Sequence, residues 1–269
     1  MTALQDNALQ DNAVPRDALR SLGGAGRLPR LPPPAEMALF LDFDGTLVEI
    51  VAQPDEVQVE PAVLRMLAGL HRQLGGALAL LSGRRIAALD RFLAPLALDA
   101  AGLHGLELRR QGALDAPGPD RGFRQVAAAL GEHAATRYPA LLIEDKGASV
   151  ALHWRQHPEL ETAALRLAEA ALDQIGAGHR LQHGHCVVEI LPARADKGQA
   201  VRWFMESAPY RGRRPVVCGD DLTDEAAFIA ANAAGGMSVK VGEGQTAASH
   251  RVESQGDLVR LLVHASMAG

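Results

Sequence analysis

Short apolar runs ending in small or acidic residues recur along this chain, and most are followed by a stripe with helical spacing. Ala38–Leu41, Ala77–Leu81 and Pro215–Cys218 are of this kind. A brief, fully apolar run bounded by turn residues predicts a central strand of a parallel sheet, buried on both faces. Behind the first run, Glu60–Leu74 places Val63, Leu64, Leu67 and Leu70 on one helical stripe after Pro61, a residue suited to a first helical turn. Ile86–Leu93 reads as a second helix. Leu98–Leu108 reads as a short strand and loop. Lys197 opens a helix to about Ser207, Ala226–Ala230 is helical, and Ser238–Val241 with Leu258–His264 forms a last strand and helix.

The middle of the chain departs from this alternation. Gln111–Gly122 is rich in Gly, Pro and Asp, as linkers are. After it come a helix at Phe123–Arg137, strands at Leu141–Asp145 and Ser149–His153 around Lys146-Gly147, and a helix at Glu159–Ile175. Strands at His179–Gln182 and Cys186–Ile190 then flank His183-Gly184-His185. Helix, hairpin, helix, hairpin is an α+β unit. The expected fold is therefore α/β: a Rossmann-like core with a mostly parallel sheet over residues 37–112 and 191–265, and an inserted α+β domain over 113–190. Residues 1–36 hold a tandem Ala-Leu-Gln-Asp-Asn (Ala3–Asn7, Ala8–Asn12) and end near Pro32-Pro33-Pro34. They lack the period of a packed element and are expected to be a disordered extension.

Composition narrows the class. The 269 residues are 48% hydrophobic and 4% aromatic with a net charge of −5, and no long basic block is present; nucleic acid is not an expected partner. Cys186 and Cys218 are far apart and form no Cys-x-x-Cys, so neither a disulfide framework nor a zinc site is indicated. No apolar run reaches the ~18 residues of a membrane span, and no basic-then-apolar leader opens the sequence. The expected location is the cytoplasm, with no membrane partner.

The strand ends carry the chemistry. Asp42 and Asp44 follow Ala38–Leu41, and Gly45-Thr46 follows them. Two carboxylates ~4 Å apart repel by about 4 kcal/mol at an effective dielectric of ~20, so a site keeping both charged wants a cation, and hard oxygens suit Mg²⁺. Ser82-Gly83-Arg84 ends the second strand before a helix, a place where backbone N–H groups receive phosphate oxygens. Lys197 begins a helix, and Asp220, Asp221 and Asp224 cluster after the strand at Pro215–Cys218. Taken singly, each is a turn, a cap or an exposed lysine. In one parallel sheet all four would open on the same edge, where such sheets bind ligands.

In order and spacing these four stations resemble the signature motifs of the haloacid dehalogenase (HAD) superfamily of phosphotransferases, with an inserted cap of the C2 type. Within it the chain resembles the trehalose-6-phosphate phosphatases, on Ser82-Gly83-Arg84, Gly102-Leu-His-Gly105, Val188-Glu189-Ile-Leu-Pro192, Lys197-Gly198, Gly219-Asp-Asp-Leu-Thr-Asp-Glu225 and the tail from Val241-Gly242 to Thr246-Ala247-Ala248. The likeness spans Met37 to Val263. It implies that Asp42 is a nucleophile forming an aspartyl-phosphate and that Asp44 is acid, then base. Ser82 and Lys197 would hold the phosphoryl oxygens. Mg²⁺ would be held by the Asp42 carboxylate, the Asp44 backbone carbonyl and Asp220; Asp224 would orient a water on the metal, and Asp221 is open to either role. For substrate binding the resemblance offers Gly83, Arg84, His104 and, on the inserted domain, Glu144, Lys146, Arg155 and Glu189. The implied activity is hydrolysis of trehalose 6-phosphate, with a trehalose-6-phosphate synthase as functional neighbour. The alternatives are another sugar phosphate (sucrose 6-phosphate or mannosyl-3-phosphoglycerate), a phosphomutase, or a non-catalytic sugar-phosphate-binding relative. One departure is His185, where many family members carry lysine; histidine is mostly neutral at pH 7.

Overall fold

A computed structural model describes residues 29–267 apart from 52, 117 and 119. The tandem repeat and most of the expected extension lie outside the described residues. Its last part, residues 29–36, runs against the core: Leu31 packs on the main apolar cluster and Pro34–Glu36 forms one 3₁₀ turn.

Among the described residues, twelve strands fall into two sheets. The larger contains β1 (Met37–Asp42), β2 (Leu78–Leu81), β3 (Asp99–Gly102), β4 (Glu107–Arg110), β5 (Ala113–Asp115), β10 (Arg214–Gly219), β11 (Met237–Val241) and β12 (His250–Val252), in the order β12-β11-β10-β1-β2-β3-β4-β5. Pairing is parallel from β12 to β3 and antiparallel at β4 and β5. All six β1 residues are buried, as expected of a strand flanked on both edges in a covered sheet. The chain fills one side of β1 with β2 and β3, then returns on the other with β10 and β11. The carboxyl ends of β1 and β10 therefore flank the switch point at which open α/β sheets bind ligands.

Helices α1 (Pro61–Gln73), α2 (Ile86–Leu93), α5 (Lys197–Met205), α6 (Glu225–Ala233) and α7 (Gln255–Met267) belong to this layer, α1 packing with α7 and α5 with α6. In α1 the buried residues Val63, Met66, Leu67 and Leu70 recur at helical spacing.

The second sheet is antiparallel, β6 (Leu142–Asp145), β7 (Val150–His153), β9 (Val187–Pro192) and β8 (His179–Gly184) in that order. Helices α3 (Arg121–Arg137) and α4 (Glu161–Ile175) cover one face around a separate apolar cluster that includes Phe123, Leu130, Leu152, Trp154, Val188 and Ile190. The expected helix–hairpin–helix–hairpin order is present. The expected boundary at 112/113 falls between β4 and β5, both of which belong to the large sheet. Among the described residues no helix is long and apolar enough to cross a membrane.

Candidate active site

Asp42 ends β1, nearly covered, and its Oδ1 accepts from Lys197 Nζ at 2.7 Å. The same ammonium donates to Asp224 Oδ1 at 2.7 Å. Lys197 starts α5 behind Asp196, whose side chain caps the helix by accepting from Gly198 N, so helix capping fixes where the lysine emerges. Burial alone would disfavour the ammonium, but Asp224 and Asp42 outweigh it and hold the Lys197 pKa above its ordinary value.

Asp224 is fully buried and already well used. While Oδ1 takes Lys197, Oδ2 accepts the backbone N–H groups of Asp220 and Asp221, both at 3.1 Å. Asp221 is instead the capping residue of the short turn Leu222–Asp224, accepting from Leu222 N at 2.6 Å. Asp220 Oδ1 accepts from Thr46 Oγ1 at 3.0 Å, and its backbone oxygen accepts from the buried Lys240 Nζ.

Asp42, Asp220 and Asp224 each offer a carboxylate oxygen, all within 4.8 Å of one another. Burial first, then the charge of Asp224, pushes Asp220 up to about 6. Burial first, then Asp224, also pushes Asp42 well above the usual carboxylate range, against the pull of Lys197. One ammonium thus faces three crowded carboxylates. This is a site with room in its charge balance for a hard divalent cation held by oxygen.

Gly45 makes the crowding possible. Its φ is +83°, and a Cβ there would lie 2.2 Å from Asp220 Oδ2. The β1 loop can approach the β10 loop only because that atom is missing.

Asp44 stands apart from the three carboxylates. Arg84 grips it with two parallel bonds, Nε to Oδ2 and Nη2 to Oδ1, both 2.7 Å. The third nitrogen of the guanidinium, Nη1, donates to Pro54 O at 2.6 Å, and the plane lies over Phe92 and Phe43. Expected as a substrate contact, Arg84 is found holding Asp44. Ser82 is buried and its Oγ accepts from Arg84 N at 3.1 Å; it does not line the cavity described below.

Leu103 and His104 follow β3 at φ 49° and 55°, two successive non-glycine residues in the left-handed region. Such strain persists where the surroundings impose it, often at sites. It lays the His104 ring against Gly83, where a Cβ would meet His104 Nε2 at 2.7 Å. From the antiparallel sheet, Glu189 comes down to meet this corner. It accepts from Lys146 Nζ at 2.9 Å and Ser149 Oγ at 2.5 Å, and lies 3.4 Å from His104 Nε2. Lys146 also donates to Gly83 O at 3.2 Å. Burial raises the Glu189 pKa, but the Lys146 charge with the His104 and Ser149 bonds carries it far below the carboxylate range.

Between the two sheets lies a cavity of about 740 Å³. Of the residues expected at the site, Asp42, Asp44, Gly83, Arg84, His104, Glu144, Lys146, Arg155, Glu189, Lys197, Asp220 and Asp221 line it; Asp224 and Ser82 sit behind. Arg155 donates to His185 O at 2.9 Å and so ties the β8–β9 turn to β7. Sequence reasoning missed Thr46, Ser149, His153, Gln182 and Lys240. Only Lys240 carried a signal, as a charged residue inside an apolar strand; the others are ordinary strand or turn residues whose roles arise from cross-chain contacts.

This arrangement has known counterparts. The family model described as Trehalose-phosphatase matches residues 40–258. A probable trehalose-phosphate phosphatase of Sinorhizobium fredii is 43% identical over 206 residues, covering 76% of this chain and 77% of that protein. The trehalose-6-phosphate phosphatase of Escherichia coli is 43% identical over 231 residues, covering 83% and 84%. A phosphatase of the HAD enzyme superfamily from Bacteroides thetaiotaomicron superposes with a TM-score of 0.58 at 16% identity, over 90% of this chain and 99% of its own. That likeness shows the shared fold: an α/β core with a mostly parallel sheet and a separate antiparallel cap. By the match of its core and of most of its length, the chain belongs to the trehalose-phosphatase family.

Proposed function

We propose that this protein hydrolyses trehalose 6-phosphate to trehalose and phosphate, that Asp42 is the nucleophile, and that Mg²⁺ is required. The observation that carries the proposal is the position of Asp42. It ends the central strand at the switch point, in contact with Lys197, beside Asp220 and on the wall of the cavity. Attack by an Asp42 carboxylate oxygen on phosphorus would form the aspartyl-phosphate and break the bond from phosphorus to the sugar oxygen. Asp44 would give that oxygen a proton and then take one from the water that attacks phosphorus and frees Asp42. Lys197 and the backbone N–H groups after β2 would hold phosphoryl oxygens, since phosphoryl transfer asks mainly for positioning and charge neutralisation.

The donor set suits Mg²⁺. The carboxylates of Asp42 and Asp220, with the backbone carbonyl of Asp44, would hold it, and Asp224, saturated by Lys197 and two N–H groups, would buttress Asp220. Bound there, Mg²⁺ would neutralise charge on the phosphoryl group. The four-stranded domain, from α3 at Arg121 to the end of β9 at Pro192, would act as the cap that sheds water and reads the sugar. Glu144, Lys146, Arg155 and Glu189 are its polar face toward the cavity.

The test is phosphate release from a panel of trehalose 6-phosphate, sucrose 6-phosphate, mannosyl-3-phosphoglycerate and glucose 6-phosphate, with and without Mg²⁺. Trehalose 6-phosphate should show the highest kcat/KM, and chelation should stop turnover. Asp42→Asn should abolish turnover with an unchanged circular-dichroism spectrum. A folded, active Asp42→Asn enzyme would sink the nucleophile assignment, and preference for another sugar would sink the substrate.

A further inference from the structure

The register of the antiparallel sheet sorts its side chains into rungs. Glu144, Ala151, Glu189 and Gln182 pair in one rung across β6, β7, β9 and β8. Ile143, Leu152 and Val188 form the neighbouring rung and belong to the apolar cluster under α3 and α4. Because strand side chains alternate, the Glu144 rung faces the other way, toward the cavity. His153 lies two residues beyond Ala151 on β7 and shares that face. Glu144, His153, Gln182 and Glu189 all line the cavity.

The two glutamates are held differently. Glu189 is locked by Lys146, Ser149 and His104 at the junction with the core. Glu144 has a partner of its own: His153 Nε2 lies 3.0 Å from Glu144 Oε2. Burial raises the Glu144 pKa, but the His153 bond and the Lys146 charge bring it below its ordinary value, so the group is a carboxylate. A carboxylate only accepts, so His153 carries the hydrogen on Nε2 and donates it. A carboxylate offers about four acceptor sites, and one bond to His153 leaves capacity for the hydroxyls of a ligand. Glu144 also stands between the attraction of Lys146 and the repulsion of Glu189, either of which would displace an untethered side chain.

We propose that His153 is a positioning residue for sugar selection: its Nε2–H fixes the Glu144 carboxylate against the pull of Lys146, so that Glu144 presents acceptors to the hydroxyls of the sugar that leaves. The proposal rests on the sugar-phosphate reading above. His153 touches Glu144, and acts on the sugar through it.

The test is a double-mutant cycle read by steady-state kinetics on trehalose 6-phosphate with Mg²⁺ present. His153→Ala should raise KM about tenfold, the cost of one hydrogen bond to a charged group, while kcat moves less than about threefold. His153→Gln, whose amide can stand in for the Nε2–H, should recover most of the lost affinity and controls for folding. In a Glu144→Ala background, His153→Ala should change KM by less than about twofold, because the group it orients is gone. Equal effects of His153→Ala in both backgrounds, or a loss confined to kcat, would overturn the proposal. No turnover of trehalose 6-phosphate by the unmodified enzyme would overturn the functional reading and this inference together. Turnover with additive substitutions would overturn this inference alone.

Discussion

At the scale of single residues, the site is built from close approaches that one missing atom permits. Gly45 is the sharpest case: positive φ and a would-be Cβ 2.2 Å from Asp220 Oδ2 make two independent demands for glycine. Gly45→Ala should cost about 1–2 kcal/mol from the left-handed backbone alone, and more because Asp220 and Thr46 must part. The expected outcome is a lower midpoint in urea unfolding together with weaker Mg²⁺ binding by calorimetry. Unchanged metal binding would show that Asp220 is not where the ion sits. Lys197 illustrates the complementary constraint. A buried ammonium is costly unless paired, and Asp42 with Asp224 pairs it twice. The same bonds leave Asp42 beside one fixed positive charge, where a phosphoryl group would enter.

At the scale of elements, the site depends on loops that meet at the ends of strands. Arg84, on the turn after β2, joins the turn after β1 through Asp44 and the 3₁₀ turn Pro54–Glu56 through Pro54 O. Lysine cannot reproduce two parallel bonds from one planar group. Arg84→Lys should therefore lower kcat on trehalose 6-phosphate about tenfold or more, since misdirected acid–base catalysis forfeits part of a 10²–10⁴-fold term. Soaking in guanidinium ion should restore part of it. An unaffected kcat with raised KM would return Arg84 to the substrate-contact role expected from the resemblance. The elements carrying these groups were legible because β1, β2 and β10 are buried on both faces and read as unbroken apolar runs. The β4–β5 hairpin and β12 were not: after the buried Glu107, residues 108–110 and Ala113–Asp115 are half-buried or exposed charged and apolar residues without alternation, and His250–Val252 is a short edge. The Arg84–Asp44 grip and the His153–Glu144 pair escaped for another reason. Each joins residues from different turns or strands, and nothing local in either stretch of chain records the partner.

At the scale of the molecule, the two sheets carry separate apolar cores, and polar contacts hold them together near the cavity. Glu189 is the centre of that junction, with Lys146 and Ser149 from its own domain and His104 from the core; Lys146 in turn reaches Gly83 O. Its carboxyl is held far below the usual range, so the sign of the pH effect follows from linkage. The folded state binds the proton less readily than the unfolded state. The stability Glu189 contributes is therefore complete above its unfolded value of about 4.3 and is lost as pH falls from there toward its depressed folded value. Protonating Glu189 removes the charge that Lys146 and His104 share across the junction. Urea unfolding from about pH 5 to about pH 3 should then show a steeper loss for the native protein than for Glu189→Gln, which has no carboxylate to protonate. Parallel curves would assign the acid sensitivity to other carboxylates, but not to the crowded pair at Asp42 and Asp220. Those two are shifted upward, so they oppose rather than produce a loss of stability on acidification. The slope difference between the two proteins is thus a measure of the junction itself.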